Sequence, residues 1–184
     1  MKKKIAILGS TGSIGKAILN IILKDKKNFE IILLSANKNY KELIKQTKKF
    51  KVKNVIINDK HSYIKFKKIN KDKKIKIFTN FNNFKNIFKK KIDYTMSAIT
   101  GIDGLTPTFK IIKYTKIIAI ANKESIICGW HLLKKELNKH KAKFLPVDSE
   151  HFSIWFDLYH RAYNEQIEKI YITASGGPFR KKKK

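Results

Sequence analysis

The 184-residue chain is short of acidic residues, arginine and cysteine. It carries 14 Asp and Glu against 42 Lys and Arg, a formal net charge of +28, and its only arginines are Arg161 and Arg180. Cys128 is the single cysteine, so an internal disulfide bond is excluded, which fits the reducing cytoplasm. No apolar run approaches the ~18 residues of a membrane-spanning helix. We therefore expect a cytoplasmic protein with no membrane partner.

The excess of lysine raises the question of nucleic-acid binding. The lysines recur along the whole chain, together with many Ile, Asn, Phe and Tyr, which are residues with A/T-rich codons. This distribution indicates a bias in base composition, whereas a dedicated nucleic-acid-binding protein concentrates its charge on one face. We predict no specific nucleic-acid partner, and a basic RNA-binding protein stays as an alternative that charge alone favours.

Short apolar segments alternate with longer amphipathic ones along the chain. The pattern predicts strands over 4–8, 29–36, 52–58, 74–79, 92–99, 116–122, 142–147 and 167–175. It predicts helices over 14–24, 40–50, 61–69, 81–90, 104–114, 123–139 and 150–163. Such alternation is typical of βαβ units, and continuous apolar strands such as "IIAIA" indicate a sheet covered on both faces. We predict an α/β fold with a doubly wound, mostly parallel, Rossmann-like sheet over residues 1–147.

A glycine-rich segment, "LGSTGSIGK", separates the first predicted strand from the first predicted helix. It places Gly9, Gly12 and Gly15 three residues apart, with Thr11 and Ser13 as additional hydroxyl donors. In this context the chain can turn tightly, its amides can approach a phosphate, and the positive end of the helix adds a favourable field. A tight turn without a ligand is the alternative, but the order of strand, glycines and helix favours a dinucleotide site.

The end of the second predicted strand reads "SANKNYK". Enzymes that use NAD usually have an acidic residue about 20 residues beyond the glycine loop, where it holds the ribose hydroxyls. Here Lys38 and Asn39 occupy that region. A cation suits the 2′-phosphate of NADPH, so the sequence favours NADPH over NADH. The alternative is that Lys38 is one more surface lysine in a basic chain.

Three later strand ends carry clusters of polar residues. They are "IANKES" around Asn122–Glu124, "PVDSEH" around Asp148–Glu150 and "ITASGGPF" around Ser175–Gly177. Each alone could be a helix cap or a turn. Ligands of open α/β sheets bind beyond the carboxyl ends of the strands, so three such clusters indicate a ligand-binding edge.

The motifs "GSTGSIG", "ANKES", "PVDSEH" and "SGGPFR", in this order, resemble the 1-deoxy-D-xylulose-5-phosphate reductoisomerase family. The resemblance covers essentially the whole chain but only about the N-terminal half of that enzyme. It implies an oxidoreductase that uses NADPH and Mg²⁺ or Mn²⁺ to convert 1-deoxy-D-xylulose 5-phosphate to 2-C-methyl-D-erythritol 4-phosphate in non-mevalonate isoprenoid biosynthesis. It also implies that residues 148–184 are the incomplete start of a second α/β domain, catalytic and metal-binding, and that the complete enzyme is a homodimer.

The resemblance implies roles for individual residues. The residues implied to bind NADPH are Thr11, Gly12, Ser13, Ile14, Asn37, Lys38, Asn39, Asn122 and Glu124; the family usually has Gly where Asn37 stands. The residues implied to bind the sugar phosphate are Lys123, Ser149, Glu150 and Ser175, of which Lys123 and Glu150 are the catalytic candidates. Asp148 and Glu150 are the implied metal ligands, which fits the preference of hard cations for carboxylate oxygens.

The end of the chain leads to a second functional hypothesis. After "GGPF" the sequence runs into "RKKKK", and we expect the lid, further substrate ligands and a third metal carboxylate of the family to be missing. We therefore expect little or no turnover by this chain. The alternative function is a truncated, catalytically inactive fragment that binds NADPH.

Overall fold

The structure is a computed structural model that describes residues 1–160 and 167–172. The chain divides into two compact units, Met1–Asp148 and Ser149–Lys184. In the first unit the strands are β1 Lys3–Leu8, β2 Phe29–Ala36, β3 Asn54–Ile57, β4 Lys76–Phe78, β5 Ile92–Ser97, β6 Thr115–Ile120 and β7 Lys143–Pro146. Its helices are α1 Ser13–Lys24, α2 Tyr40–Phe50, α3 Lys60–Ile69, α4 Phe84–Ile87, α5 Leu105–Ile111 and α6 Lys123–His140.

The seven strands form one sheet in the order β4-β3-β2-β1-β5-β6-β7, and every neighbouring pair is parallel. The chain moves outward from β1 to β4, returns to the other side of β1 as β5, and then moves outward again to β7. The predicted doubly wound parallel sheet is therefore confirmed. Its direction of winding changes between β1 and β5, which pair from Ile5 with Tyr94 to Leu8 with Ser97.

Two apolar clusters cover the two faces of this sheet. Successive side chains of a strand point to opposite faces, and in β1 Ile5 and Ile7 belong to one cluster while Ala6 and Leu8 belong to the other. Residues of α1, α2 and α3 complete the first cluster, and residues of α4, α5 and α6 complete the second. Burial on both faces explains why the strands read as continuous apolar runs.

The helix predicted over 81–90 is shorter in the structure. Residues Phe81–Asn83 form a 3-10 turn and only Phe84–Ile87 form α4. The side chain of Asn80 accepts a hydrogen bond from the Asn82 amide at 2.9 Å and so caps the 3-10 turn. Phe88 then leaves the helix with extended angles and packs in the core. Local capping by asparagine and burial of phenylalanine therefore override the helical spacing.

The C-terminal part of the chain also differs from the sequence prediction. The second unit contains α7 Ser149–His160, and residues 161–163 of the predicted helix lie outside the described residues. Of the strand predicted over 167–175, residues 167–172 form no strand, and 173–175 lie outside the described residues. The β-branched pattern alone does not make a strand without a hydrogen-bonded neighbour, and Tyr171 is 85% exposed. None of the described helices combines the length and the hydropathy needed to cross a bilayer.

Candidate functional site

A groove of about 690 Å³ opens at the carboxyl edge of the sheet. The loops after β1, β2, β3, β4 and β5 line it, together with α5. It lies where the winding of the sheet changes direction between β1 and β5, which is the place where open α/β sheets bind ligands. Of the predicted site residues, the groove contains Thr11, Gly12 and Asn37.

The three glycines of the first loop differ in what surrounds them. Gly9 has a φ of +79°, and a Cβ there would lie 2.6 Å from the Ala98 carbonyl oxygen. A Cβ on Gly15 would lie 2.4 Å from the Gly9 carbonyl oxygen. At Gly12 the nearest atom would be 3.5 Å away, an ordinary contact. The fold itself therefore requires Gly9 and Gly15, whereas a Cβ on Gly12, which lines the groove, would make only an ordinary contact.

The loop is held by residues that the sequence analysis missed. The Ser35 hydroxyl accepts a hydrogen bond from the Gly9 amide at 3.0 Å. The Ser10 hydroxyl donates to Gln46 Oε1 at 2.7 Å, and Gln46 Nε2 donates back to the Ser10 carbonyl oxygen at 3.0 Å. All three side chains are buried. The sequence could have indicated Ser35, because it is a polar residue within the apolar strand "FEIILLSA". The contact between Ser10 and Gln46 depends on how α2 packs and leaves no such pattern in the sequence.

Helix α1 presents its positive end beside this loop. The helix begins at Ser13, its N-cap Gly12 has no side chain that could cap it, and its first turn contains no acidic residue. Ser13 and Ile14 are exposed in that first turn. Unsatisfied amides and the helix dipole at such a position favour an anion.

The end of β2 carries the three residues predicted to hold the adenosine phosphate. Asn37 lines the groove, Lys38 is exposed, and Asn39 caps α2 by accepting a hydrogen bond from the Glu42 amide at 3.1 Å. Lys38 lies near Asp59 at the start of α3. The pKa of the Asp59 carboxyl is held below its usual range by hydrogen bonds from Ser62, and the charge of Lys38 adds to this effect.

Asn122 is the best-fixed of the predicted site residues. It is 3% exposed, and its side chain caps α6 by accepting a hydrogen bond from the Ser125 amide at 2.5 Å. Its Nδ2 donates to the carbonyl oxygens of Ile99 and Gly101, the latter at 2.6 Å. The side chain therefore ties the loop after β5 to the start of α6 and is fully occupied within the protein.

The remaining predicted residues lie at the ends of β6 and β7 or beyond. Lys123 is exposed and Glu124 is half-buried in the first turn of α6. Asp148 is half-buried shortly after β7, the neighbour of β6, so it lies at the same edge of the sheet. In the second unit, Ser149 and Glu150 are exposed at the start of α7. Ser175 lies outside the described residues.

Sequence comparison assigns the family. The family model for 1-deoxy-D-xylulose 5-phosphate reductoisomerase matches residues 5–129, and the model for its C-terminal domain matches residues 144–184. The chain belongs to the 1-deoxy-D-xylulose 5-phosphate reductoisomerase family. The resemblance noted from the sequence motifs is therefore confirmed.

Two curated relatives illustrate how much of the family the chain represents. The reductoisomerase of Pelagibacter ubique HTCC1062 is 62% identical over 180 residues, which cover 97% of this chain and 46% of that protein. The reductoisomerase of Wolbachia pipientis from Culex pipiens is 39% identical over 96% of this chain and 45% of its own length. The chain thus spans less than half the length of these relatives.

Solved structures of the family superpose on the same part of the chain. The reductoisomerase of Zymomonas mobilis, solved in complex with NADPH, matches with a TM-score of 0.85 and 32% identity over 98% of this chain and 48% of its own. A DOX-P reductoisomerase in complex with NADPH, fosmidomycin and magnesium matches with a TM-score of 0.84 and 29% identity, over 98% of this chain and 47% of its own.

Proposed function

We propose that the first unit binds NADPH in the groove and that the chain acts in the metal-dependent reductoisomerisation of 1-deoxy-D-xylulose 5-phosphate to 2-C-methyl-D-erythritol 4-phosphate. The absence of any close contact for a Cβ on Gly12, at the groove where the sheet changes its direction of winding, carries this proposal. A glycine that the fold does not need, at the positive end of a helix, fits close approach of a pyrophosphate. The related structures in complex with NADPH support the choice of cofactor.

The cofactor would lie across the β1 and β2 ends. In this proposal Thr11, Gly12, Ser13 and Ile14 hold the pyrophosphate through the loop and the first turn of α1. Asn37, Lys38 and Asn39 hold the adenosine phosphate at the end of β2, where the charge of Lys38 matches a 2′-phosphate. Among the described non-glycine residues, only Lys51 and Lys141 have positive φ angles, so Asn37 replaces the family's usual glycine without a left-handed backbone.

The reacting end of the cofactor would lie beside α6. NADPH, when bound, supplies the hydride for the reduction. In this proposal Asn122 supports the nicotinamide half of the site indirectly, by fixing the backbone of the 99–101 loop. Its own side chain already makes hydrogen bonds within the protein. Glu124 adds a contact with the cofactor, and the exposed ammonium of Lys123 binds and orients the sugar phosphate.

The proposed metal ligands are Asp148 and Glu150. Their carboxylate oxygens have the chemistry that Mg²⁺ and Mn²⁺ prefer. Among the described residues, no group of three or more His, Cys, Asp and Glu side chains is placed to hold a metal. A cation here would therefore take its other ligands from water, substrate and further protein groups, and it would polarise the substrate oxygens as a Lewis acid. Ser149 and Ser175 are proposed to hold substrate.

We expect the chain of 184 residues to bind NADPH but to turn over little or no substrate. Two carboxylates leave most of a metal's coordination to other groups, and misplacement of the reacting atoms costs on the order of 10²-fold in rate. The alternative function is NADPH binding without catalysis, and NADPH binding by this chain without turnover would support it. We also propose a cytoplasmic location, consistent with the single cysteine, and homodimerisation, which light scattering can test.

Substrate-dependent oxidation of NADPH tests the function. The assay compares the chain with the full-length relative from Pelagibacter ubique, with Mg²⁺ and then Mn²⁺ present. Lys123→Ala is the site variant and Lys135→Ala, an exposed lysine further along α6, is its control. Turnover that Lys123→Ala abolishes and Lys135→Ala leaves intact supports the enzyme. NADPH binding without turnover supports the alternative, and the absence of both contradicts the proposal.

The rate of turnover, compared with that of the full-length relative, tests our expectation that this chain has little or no activity. Activity within tenfold of the full-length relative would show that these residues suffice for catalysis, and our expectation of low activity would be wrong. An Asp148→Asn variant provides the metal readout by calorimetry with Mg²⁺. Equal Mg²⁺ affinity in the variant would remove Asp148 from the proposed ligands.

A further inference from the structure

The amino edge of the sheet, opposite the groove, carries two cavities of about 630 and 650 Å³. The first is lined mainly by the segments that lead into β1, β2 and β3, and the second by those that lead into β3 and β4. Lys51 and Lys53 line both cavities, so the two meet at these residues. We call the joined cavities the basic trough. The proposed function gives this surface no role.

The basic trough concentrates positive charge. Its lining includes eight lysines, all exposed: Lys2, Lys26, Lys48, Lys49, Lys51, Lys53, Lys71 and Lys74. Glu30 and Asp72 are the acidic residues of that lining. None of the eight ammonium groups forms an ion pair with a carboxylate of a described residue. The fold thus brings lysines from distant parts of the chain onto one surface, whereas the groove is lined by one lysine and one aspartate.

The shape of the basic trough is extended. It crosses the amino ends of four neighbouring strands, in the order β4-β3-β2-β1. Neighbouring strands lie about 4.8 Å apart, so the trough is about 14 Å long. With one charge per about 3.4 Å along a stacked strand of nucleic acid, on the order of four phosphates span that length. A chain of phosphates therefore matches the trough better than a single phosphate does.

Aromatic rings accompany the lysines in the first cavity. Phe29 and Phe50 are half-buried and line it. The Lys26 ammonium lies 5.5 Å from the centroid of the Phe50 ring, so a cation and a ring face occupy one place. Proteins hold single strands by this combination, because cations contact the phosphates and every base can stack on a ring. The rings favour a nucleic acid over a polyanion without bases.

The amide side chains of the basic trough are already engaged within the protein. Asn54 Nδ2 donates to the Ile32 carbonyl oxygen at 3.0 Å, and Asn70 Nδ2 donates to the Asp72 carbonyl oxygen at 2.9 Å. The lining therefore offers mostly lysine ammonium groups and ring faces. These groups contact phosphates and bases of any sequence, so the surface has little means of reading base edges.

We propose that the basic trough binds single-stranded nucleic acid independently of its sequence, with lysines on the phosphates and the rings of Phe29 and Phe50 against the bases. This site and the proposed NADPH site lie at opposite edges of the sheet, so neither depends on the other. It is compatible with the expectation of no specific nucleic-acid partner, because no sequence is selected. Phosphate contacts release counterions, so the binding weakens as salt rises.

A matched pair of double variants tests the location. Lys51 and Lys141 are the C-caps of α2 and α6, with φ angles of 55° and 50°, and an exposed lysine follows each two residues later. Lys51→Gly/Lys53→Ala removes two charges from the basic trough, and Lys141→Gly/Lys143→Ala removes two charges outside it. Glycine suits a left-handed backbone, so both variants should fold, which circular dichroism and urea unfolding check.

The probe is a fluorescent oligothymidylate of about 12 nucleotides, titrated with 1–184 by anisotropy between about 50 and 200 mM salt. Loss of one phosphate contact to a single strand lowers the slope of log affinity against log salt by about 0.7. We expect Lys51→Gly/Lys53→Ala to lower the slope by about 1.4 and the affinity about 25-fold at about 0.1 M salt. Lys141→Gly/Lys143→Ala should lower the affinity less than about threefold, because exposed charges beyond a Debye length are screened.

An abasic strand of the same length tests the role of the bases. It carries the same phosphates, and we expect it to bind at least about fivefold more weakly, as for loss of one stacked base. Equal binding of the two strands would overturn the assignment to nucleic acid and leave a surface for any polyanion. An oligodeoxyadenylate should bind within about threefold of the oligothymidylate, and a larger difference would contradict binding independent of sequence.

Three further outcomes would overturn the proposed location. They are equal losses in the two double variants, no binding by folded wild type at about 0.1 M salt, and displacement of the strand by NADPH, which would place the strand in the groove. The lysines of the basic trough would then serve only the negative carboxyl ends of the helices, as Lys48 and Lys49 do in the last turn of α2.

Discussion

Gly15 in α1 contacts the carbonyl oxygen of Gly9 so closely that a Cβ on Gly15 would lie 2.4 Å from it. Helix α1 is therefore docked directly on the loop that follows β1. Gly12, between these two glycines, has no such contact. The loop thus combines two glycines that the fold requires with one, at the groove, where a Cβ would make only an ordinary contact.

Replacement of Gly15 by alanine should destabilise the protein. The added Cβ collides with backbone atoms of Gly9 and Ser10, so either α1 or the loop must move. We expect a loss of about 2–4 kcal/mol in the free energy of unfolding, measured by urea titration. Gly12→Ala is the control, with an expected loss of less than about 1 kcal/mol. Equal losses in the two variants would contradict the packing role of Gly15.

Replacement of Lys38 by alanine should narrow the preference for NADPH over NADH. The lysine lies at the β2 end, where its charge matches the 2′-phosphate that only NADPH carries. We expect NADPH affinity to fall at least about tenfold, as for loss of one charge-assisted hydrogen bond, with NADH affinity little changed. Lys41→Ala, an exposed lysine of α2, is the matched control. If both variants behave alike, Lys38 is an ordinary surface residue.

Replacement of Asn122 by alanine should loosen the loop after β5. The change removes the α6 cap and leaves the Ile99 and Gly101 carbonyl oxygens without this donor. We expect a loss of about 1–3 kcal/mol in unfolding free energy. Asn122→Ser retains the cap alone and should lose less. Thermal and urea unfolding of both variants provide the comparison, and a neutral effect of Asn122→Ala would refute the proposed tie between loop and helix.

Asp93 should make stability depend on pH in the acid range. A hydrogen bond from Lys116 Nζ at 2.8 Å, and then one from the Lys4 amide at 2.9 Å, hold the pKa of this carboxyl below its ordinary value. Because the pKa is lower in the folded state, the stabilisation is present above the unfolded value of about 4 and is lost as pH falls through the folded value.

The test of this dependence is the difference in unfolding free energy between wild type and Asp93→Asn. We expect the variant to be less stable at pH 7 and the difference to shrink steadily below about pH 4. Asp103→Asn, which replaces an exposed carboxylate, is the control. Its difference in unfolding free energy from wild type should be smaller than that of Asp93→Asn at pH 7. A difference for Asp93→Asn that stays constant from pH 7 to pH 3 would contradict the assignment.

The sequence predicted the sheet well because burial on both faces leaves a strong local pattern. Runs such as those around Ile5 and Ile118 are apolar throughout, and Gly9–Gly15 mark the first turn because they lie between an apolar strand pattern and a helical one. The strand order is consistent with this pattern but needs tertiary contacts to be fixed. The prediction failed at 81–90, where Asn80 caps a short turn, and at 167–172, where no described strand pairs with the segment.

Candidate site residues could be identified from the sequence only where they belong to a short motif of chemically suitable residues. The glycine loop and the residues around Asn122 and Asp148 were singled out from the sequence as candidates, and the structure places them along one edge of the first unit's sheet. The supports Ser35 and Gln46 were missed because their role depends on packing across more than 25 residues.

Titration of 1–184 with NADPH, for wild type and for Gly12→Ala, tests the central claim most directly. The account predicts saturable binding by wild type and affinity at least about tenfold lower in the variant, because a Cβ would fill the space where the pyrophosphate approaches Gly12. It also predicts that both proteins are folded, with unfolding free energies within about 1 kcal/mol. Equal affinities, or a folded wild type that shows no saturable binding of NADPH, would contradict the account.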